Sequence, residues 1–414
     1  MRPIDDPPVV SVWLMTVPHA TRSQVALRVG SARILHPVRI LVVTSQYHRG
    51  AGFPRYATQL ASGLKGRGHQ VTVLTRLARR GPGDEGIEFR TYRCPSRSVL
   101  LTMVWEPRVV TKAIRRIGAE YDAVLAIGMP VLAPVVLFGT GTHRGYFLAT
   151  MSTLRPSSWR WWFERLRPFH RIVMWWERRM LRGGFPVLVV VGAERFRREY
   201  VDLYGLEADR VAVVPLALDA AEFHFDPEIR DHTRTDLGIP PSTRVLVNVA
   251  GRGRQKGLDV LVAALDRLPR DREWTALFAG DGSTSAAMHR ATAGLRADGR
   301  VRLLGRVDDV HSLYCAADLL VFPSRYDPWG LVATEALATG LPVVVSSHAG
   351  SSMAVRPGEN GVVIDDPNDL EEVARRILEV WDAPFERDAV ARTVSGLSGA
   401  SQAQAVDALL STLA

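Results

Sequence analysis

Residues Val321 to Glu335 read VFPSRYDPWGLVATE, and how this stretch folds decides how the rest of the chain is read. Leu319–Phe322 is a short apolar run that reads as a buried strand ending at Pro323 and Ser324. A loop carrying Asp327 follows. Pro328 and Gly330 then lead into LVATEALAT, helical by composition and stopped by Gly340 and Pro342. The first amides of such a helix, near Gly330, Leu331 and Val332, lack partners within it and form a ready anion site. Glu335 stands about one turn further in, where its carboxylate can accept hydrogen bonds from a polyol just beyond that anion. Asp327 lies on the loop, eight positions before Glu335. A diphosphate joining a sugar to a nucleoside fits this arrangement. The plainer alternative is a Rossmann-type strand–loop–helix with a surface Asp and a capping Glu.

Upstream, strand Arg244–Val249 runs into AGRGRQKGLDVLVAAL. Gly251, Gly253 and Gly257 keep this loop open, while Arg252, Arg254 and Lys256 crowd cations into it just before a helix, which suits a diphosphate leaving group. Only Lys65, Lys112 and Lys256 are lysines among the 52 basic residues, so a lysine beside Gly257 stands out from a merely solvated basic turn. Thr275–Ala279 followed by Gly280–Gly282, and Val301–Leu304 followed by GRVDD, are strand ends with polar loops, where open α/β sheets bind ligands. Adjacent Asp308 and Asp309 do not make a metal site by themselves.

The earlier half opens with strand Arg39–Thr44, a loop with Gly50 and Gly52, helix Phe53–Lys65 and strand Val71–Thr75: a βαβ unit without the G-x-G-x-x-G fingerprint. His69, in the turn between helix and strand, reads as structural. Further strands are expected at Asp122–Ile127, Tyr146–Met151, Val187–Val191 and Val211–Val214. Strands alternating with helices predict doubly wound parallel sheets.

The segment PSRYDPWGLVATEALATGLPVV, 323–344, resembles the acidic-x7-acidic signature of GT-B glycosyltransferases, specifically glycosyltransferase family 4, usually PS-x-x-E-P-F-G-L-V-x-x-E-A. Asp327 replaces the common Glu, and Trp329 the common Phe. The likeness spans roughly 38–380 and includes VPLALDAAEFHFDP from Val214, where Leu216-Ala217 departs from the usual Asn-Gly of the inter-domain connection. It implies a GT-B fold, two Rossmann-like domains with parallel sheets facing a cleft, and sugar transfer from a nucleotide sugar (UDP- or GDP-linked) with retention of configuration. By this resemblance Arg252 and Lys256 hold the diphosphate, with Arg254 a rival because the GR…KG spacing is one residue short. Asp327 orients the sugar ring, Glu335 holds the ribose, and the backbone at Val307 reads the base. Gly52 lets the backbone approach donor phosphate and acceptor. The family generally needs no metal, so neither metal nor cofactor is expected. Many members carry a histidine just after the strand matched to Tyr146–Met151; His143 precedes that stretch, so it is not assigned the role. A Glu often found after the His-x-Gly region is absent, with Met353 nearest.

A chain of 414 residues, 47% hydrophobic, is long enough for two cores. The expected division is an extension over 1–36, an acceptor domain over 37–215, a nucleotide-sugar domain over 216–386, and helices over 387–414 that return to the first domain. Cys94 and Cys315 have neither disulfide nor metal-site spacing, which points to a reducing, cytoplasmic setting. The longest uncharged run, Ala123–Thr142, is broken by Gly128, Pro130, Pro134, Gly139 and Gly141, and reads as a strand, a turn and a short buried helix rather than a membrane span. A net charge of +9 calls for an anionic partner.

That partner is suggested by RPSSWRWWFERLRPFHRIVMWWERRMLR, 155–182. Eight arginines oppose Glu164 and Glu177, and five of the chain's 10 tryptophans are here. Arg160, Arg165, Arg167 and Arg171 with Trp161, Trp162, Trp175 and Trp176 suit an anionic membrane surface, on the inner face of the cytoplasmic membrane, and hence a lipid-linked or envelope-glycan acceptor. Pro168 divides the segment into two helices. The alternative is a helix pair packing its tryptophans on the core. No nucleic-acid module accompanies these residues, so no nucleic acid is expected. Two other functions compete: a nicotinamide-dependent dehydrogenase, which lacks its glycine fingerprint, and a catalytically silent membrane-binding protein of the same fold.

Overall fold

The computed structural model describes residues 37–48, 52–81, 83–95, 98–139, 141–218, 222–251 and 253–413. The extension read at 1–36, Gly50 and Arg252 lie outside them. Two parallel α/β sheets result. The first takes the order β3-β2-β1-β4-β5-β6-β7. Its strands are β1 Arg39–Tyr47, β2 Gln70–Ala78, β3 Glu88–Thr91, β4 Ala123–Ile127, β5 Val135–Phe138, β6 Pro186–Val191 and β7 Val211–Val213. The second takes the order β10-β9-β8-β11-β12-β13. It consists of β8 Arg244–Val249, β9 Trp274–Ala279, β10 Val301–Gly305, β11 Leu319–Phe322, β12 Val343–Ser346 and β13 Gly361–Ile364.

Helices cover both faces of each sheet, so the strands are continuous apolar runs rather than alternating ones. Along β1, Ile40 and Val42 join one core with Leu125 and Val190, while Leu41 and Val43 join the opposite core with Ala126 and Val189. In each sheet the strand order reverses beside the first strand, between β1 and β4 and between β8 and β11. At such a switch point the loops leaving the carboxyl ends splay apart and leave a crevice. The loops that leave β8 at Ala250 and β11 at Pro323 both open there.

The last helix, Gly399–Leu413, packs on the helix Phe53–Gly66 of the first half. Gly63 permits the approach: a Cβ there would lie 3.0 Å from the Gly399 carbonyl oxygen and 3.1 Å from Ala403 Cβ. His69 is buried and structural. Its Nδ1 accepts the Val38 amide at 3.4 Å and its Nε2 donates to Asp407 at 2.9 Å, with Arg67 on the other carboxylate oxygen. Asp407→Ala would leave a buried ring N–H unpaired, so it should cost about 1–3 kcal/mol. The urea midpoint measures this, and an unchanged midpoint would show that the clasp does not stabilise the fold.

Two local expectations fail. Tyr146–Met151 is helical, within His143–Ser152, because Thr142 caps the segment by accepting the Gly145 amide on its hydroxyl. The strand lies earlier, at Val135–Phe138, in the run expected to be a short buried helix. Pro134 before it and Gly139 after it limit this apolar run to strand length; a four-residue run has no periodicity to separate the two states. The segment after Ser158 forms two helices, Trp159–Leu166 and Pro168–Arg182.

Candidate active site

A cavity of about 910 Å³ opens between the two halves. Gly330, Leu331, Val332, Glu335, Asp327, Lys256 and Val307 line it from the second half, and Gly52, Phe53, Arg55 and Tyr56 from the first. Helix Leu331–Ala338 begins at Gly330, held at φ 84°. A side chain there would strain the backbone and put its Cβ 2.8 Å from the Phe322 ring. The helix N-terminus is thus presented to the cavity, with its positive dipole end.

Lys256 and Asp327 meet across the switch point, Nζ to Oδ2 at 2.5 Å. Four features position this pair. Lys256 ends a turn, Arg254–Lys256, bounded by Gly253 and Gly257 with positive φ. A Cβ on Gly257 would fall 2.0 Å from the Pro323 carbonyl oxygen, so only glycine lets the two loops touch. The Gln255 carbonyl, beside Lys256, accepts the Arg325 amide at 2.7 Å and the Ser324 hydroxyl at 2.9 Å. Asp327 itself accepts the Trp329 amide at 3.1 Å and is bound through its backbone to His348 and Gly350. The pair offers a cation for an anion's charge and a carboxylate oxygen for a hydroxyl.

Glu335 is buried beside them. Its Oε2 accepts the Tyr314 hydroxyl at 3.2 Å and its Oε1 faces Arg55 at 3.5 Å. Burial pushes its pKa up, while Arg55 and Tyr314 pull it down.

One expected residue falls elsewhere. Arg254 does not line the cavity: its guanidinium donates to the Thr153 hydroxyl and carbonyl, each at 3.2 Å, tying the loop to the first half. Asp309 caps the helix Val310–Ala316 by accepting the Ser312 amide at 3.1 Å, and Asp308 lies 3.6 Å from Arg306. Among the described residues no group of three His, Cys, Asp or Glu is arranged to hold a metal ion.

A second cavity of about 310 Å³ adjoins the first, sharing Phe53, Phe138, Gly139, Lys256 and Pro328. His143 lines it, a residue set aside from sequence because it preceded an expected strand. With the strand at Val135–Phe138, His143 follows it, and that reason disappears. Burial, reinforced by neighbouring His170, lowers its pKa to about 4, so the imidazole is neutral at pH 7. Its Nε2 lies 2.9 Å from His170 Nδ1. Two carboxylates fix the turn that carries it: Glu199 accepts the Thr142 amide at 2.6 Å, and Glu177 the His143 amide at 2.6 Å. Tyr326 reaches over from the second half to donate to Glu199 at 2.8 Å. The break at Gly139 and Gly141 after an apolar run was the available sequence signal.

In the basic segment the two helices sort the aromatic residues by face. Trp159, Trp162 and Trp175 are 72%, 54% and 50% exposed, together with Phe163 and Leu166. Trp176 corrects the expectation of a surface residue: it is 3% exposed and packs inward with Met180 and Leu181, under the Arg108 guanidinium. Its spacing from those two places it on the inner stripe of the helix. Arg160, Arg165, Arg167 and Arg171 are exposed, though Arg167 pairs with Glu164 at 3.0 Å, and Arg165 and Trp161 stack at 4.9 Å. No helix among the described residues is long and apolar enough to cross a membrane.

Two Rossmann-like halves that face each other over a cleft define the GT-B architecture. Residues 229–393 match the family Glycosyl transferases group 1, and residues 50–222 match Glycosyltransferase Family 4. The chain belongs to the group 1 glycosyltransferases, and the dehydrogenase alternative is set aside. A D-inositol 3-phosphate glycosyltransferase of Acidothermus cellulolyticus is 28% identical over 94% of both chains. The lipopolysaccharide core biosynthesis glycosyltransferase LpsE of Rhizobium meliloti is 33% identical over 36% of this chain and 42% of its own. Apart from the Acidothermus protein, the chain spans about half the length of the curated relatives it matches. WaaG, a glycosyltransferase involved in lipopolysaccharide biosynthesis, superposes with a TM-score of 0.67 at 19% identity, over 90% of this chain and 98% of WaaG. Anabaena Alr3699/HepE in complex with UDP and glucose gives 0.65 at 19% identity, over 91% and 100%. At such identities the likeness is one of fold.

Proposed function

We propose that this glycosyltransferase moves a sugar from a UDP- or GDP-sugar to a lipid-linked or cell-envelope glycan, with retention of configuration. The observation that carries the donor reading is one cavity lined by Lys256, the amino end of helix Leu331–Ala338 and the buried Glu335. A diphosphate there would have Lys256 and the helix dipole to offset charge growing on it as the glycosidic bond breaks. Asp327 would orient the sugar and Glu335 would accept from the ribose. The neutral His143, across the adjoining cavity, would hydrogen-bond an acceptor hydroxyl. The UDP and glucose bound to the Anabaena neighbour support the choice of donor, and the retaining outcome follows the family-4 resemblance. A thermal-shift screen of UDP-, GDP- and ADP-sugars tests the reading. A ligand at about 100 times its Kd should add about 2.7 kcal/mol to stability, and no shift with any of them would overturn it.

The exposed Trp159, Trp162, Phe163, Leu166 and Trp175 among exposed arginines support docking on an anionic membrane, and the names of LpsE and WaaG support an envelope acceptor. Each cation near such a surface contributes about 1 kcal/mol, and salt screens it. Sedimentation with anionic vesicles should therefore recover the protein at low salt and release it at high salt, while neutral vesicles recover little. Equal recovery with both, or recovery unaffected by changing Arg160, Arg165, Arg167 and Arg171 to Gln, would place the acceptor in solution.

A further inference from the structure

Besides the exposed Arg306 and Asp308, two ion pairs among the described residues stand in the donor-side cavity. One, Lys256 with Asp327, lies within the second half. The other crosses the cleft. Arg55 projects from the first turn of helix Phe53–Gly66, and its side chain is only 17% exposed. One terminal nitrogen lies 2.5 Å from Glu222 Oε2, the other 3.5 Å from Glu335 Oε1, and the guanidinium sits 5.4 Å from the Phe223 ring centre.

The two contacts differ in kind. At 2.5 Å the bond to the half-exposed Glu222 is the shorter one; at 3.5 Å the bond to Glu335 is at the outer limit, within reach of displacement by a hydroxyl. The guanidinium can therefore stay on Glu222 and Phe223 while leaving Glu335. Glu335 depends on what faces it. Its carboxylate is 11% exposed, and the groups that act on it are Arg55, Tyr314 and Glu222. Arg306, Asp308, Asp309 and His311 line the same cavity from the loop and helix after β10. Without Arg55, burial and the nearby Glu222 would drive the carboxyl to hold its proton, opposed only by the Tyr314 hydroxyl. A protonated carboxyl is a poorer acceptor for two hydroxyls.

We propose that Arg55 is a positioning residue and placeholder: from the first domain it occupies the Glu335 carboxylate in the empty site, keeps that group an acceptor, and yields it to the ribose diol of an entering nucleotide sugar. This rests on the nucleotide-sugar reading above. It assigns Arg55 no contact with the donor and makes its effect depend on pH.

The test is calorimetric titration with UDP, GDP and ADP of the full chain, of Arg55→Gln and of Arg55→Lys, between about pH 6 and pH 8.5. The measured quantity is the ratio of variant to wild-type Kd, in which the phosphate's own titration cancels. At the upper limit Arg55→Gln should bind within about twofold of wild type or more tightly, because no placeholder has to leave. As pH falls the ratio should rise, by up to about tenfold for each unit below the Glu335 pKa of the variant, until the wild-type carboxyl protonates as well. Arg55→Lys, which keeps the charge, should hold the ratio near one throughout. A ratio that does not change with pH, whether near one or uniformly raised, overturns the proposal, as does a pH-dependent loss that Lys fails to restore. A wild-type chain that binds none of the three nucleotides at any pH overturns the nucleotide-sugar reading itself, and this proposal with it.

Discussion

Lys256→Ala should lower turnover by about 10²–10³, the loss typical when one preorganised charge-stabilising donor is removed. The lysine is held beside Asp327 by the Arg254–Lys256 turn and by Gly257 against Pro323, so it needs no reorganisation when charge develops. Removing it should leave the fold intact, since the turn is set by backbone bonds from Gln255 rather than by the side chain. The effect should fall on kcat more than on KM, because the interaction strengthens as the leaving diphosphate gains charge. Release of nucleoside diphosphate from the donor identified by thermal shift is the readout. Turnover within about threefold of wild type would reduce the cation loop to a solvated turn.

Glu335→Gln should weaken donor binding by about 1.5–3 kcal/mol, the scale of hydrogen bonds to a charged acceptor. The substitution keeps the volume and the contact with Tyr314 but loses the charge, and frees Arg55 to rest on Glu222 alone. Here KM should rise with little change in kcat, the reverse of the lysine variant, because the ribose lies away from the breaking bond. An unchanged donor titration would remove Glu335 from the nucleotide site.

Much of this was legible in 321–335, where the information is local. An apolar run ended by Pro323, a glycine at the start of an Ala-rich helix and a stop at Gly340 fix strand, loop and helix through neighbours in sequence. The same holds for Pro168, which divides the basic segment where the structure does. Reading failed at Tyr146–Met151 and at the four-residue strand before it. A hydroxyl cap at Thr142 outweighed the aromatic and apolar composition, and a short apolar run carries no period. That single shift of strand position also hid His143.

The sequence by itself determined the two-sheet α/β class, the helix start at Gly330 and the placing of Asp327 on the loop and Glu335 on the helix, because each depends on backbone preferences within a dozen residues. Only the tertiary structure decided which side chains meet. Lys256 and Asp327 are 71 residues apart, and Arg55 and Glu335 are 280 apart. Those contacts depend on two strands being adjacent at a switch point and on two halves closing over one cleft. Trp175 faces outward while Trp176 is buried because a helix turns 100° per residue against other helices supplied from elsewhere in the chain. Arg254, indistinguishable from Arg252 by composition, is drawn to Thr153 of the other half. Long-range packing sets these partners, and no local pattern encodes it.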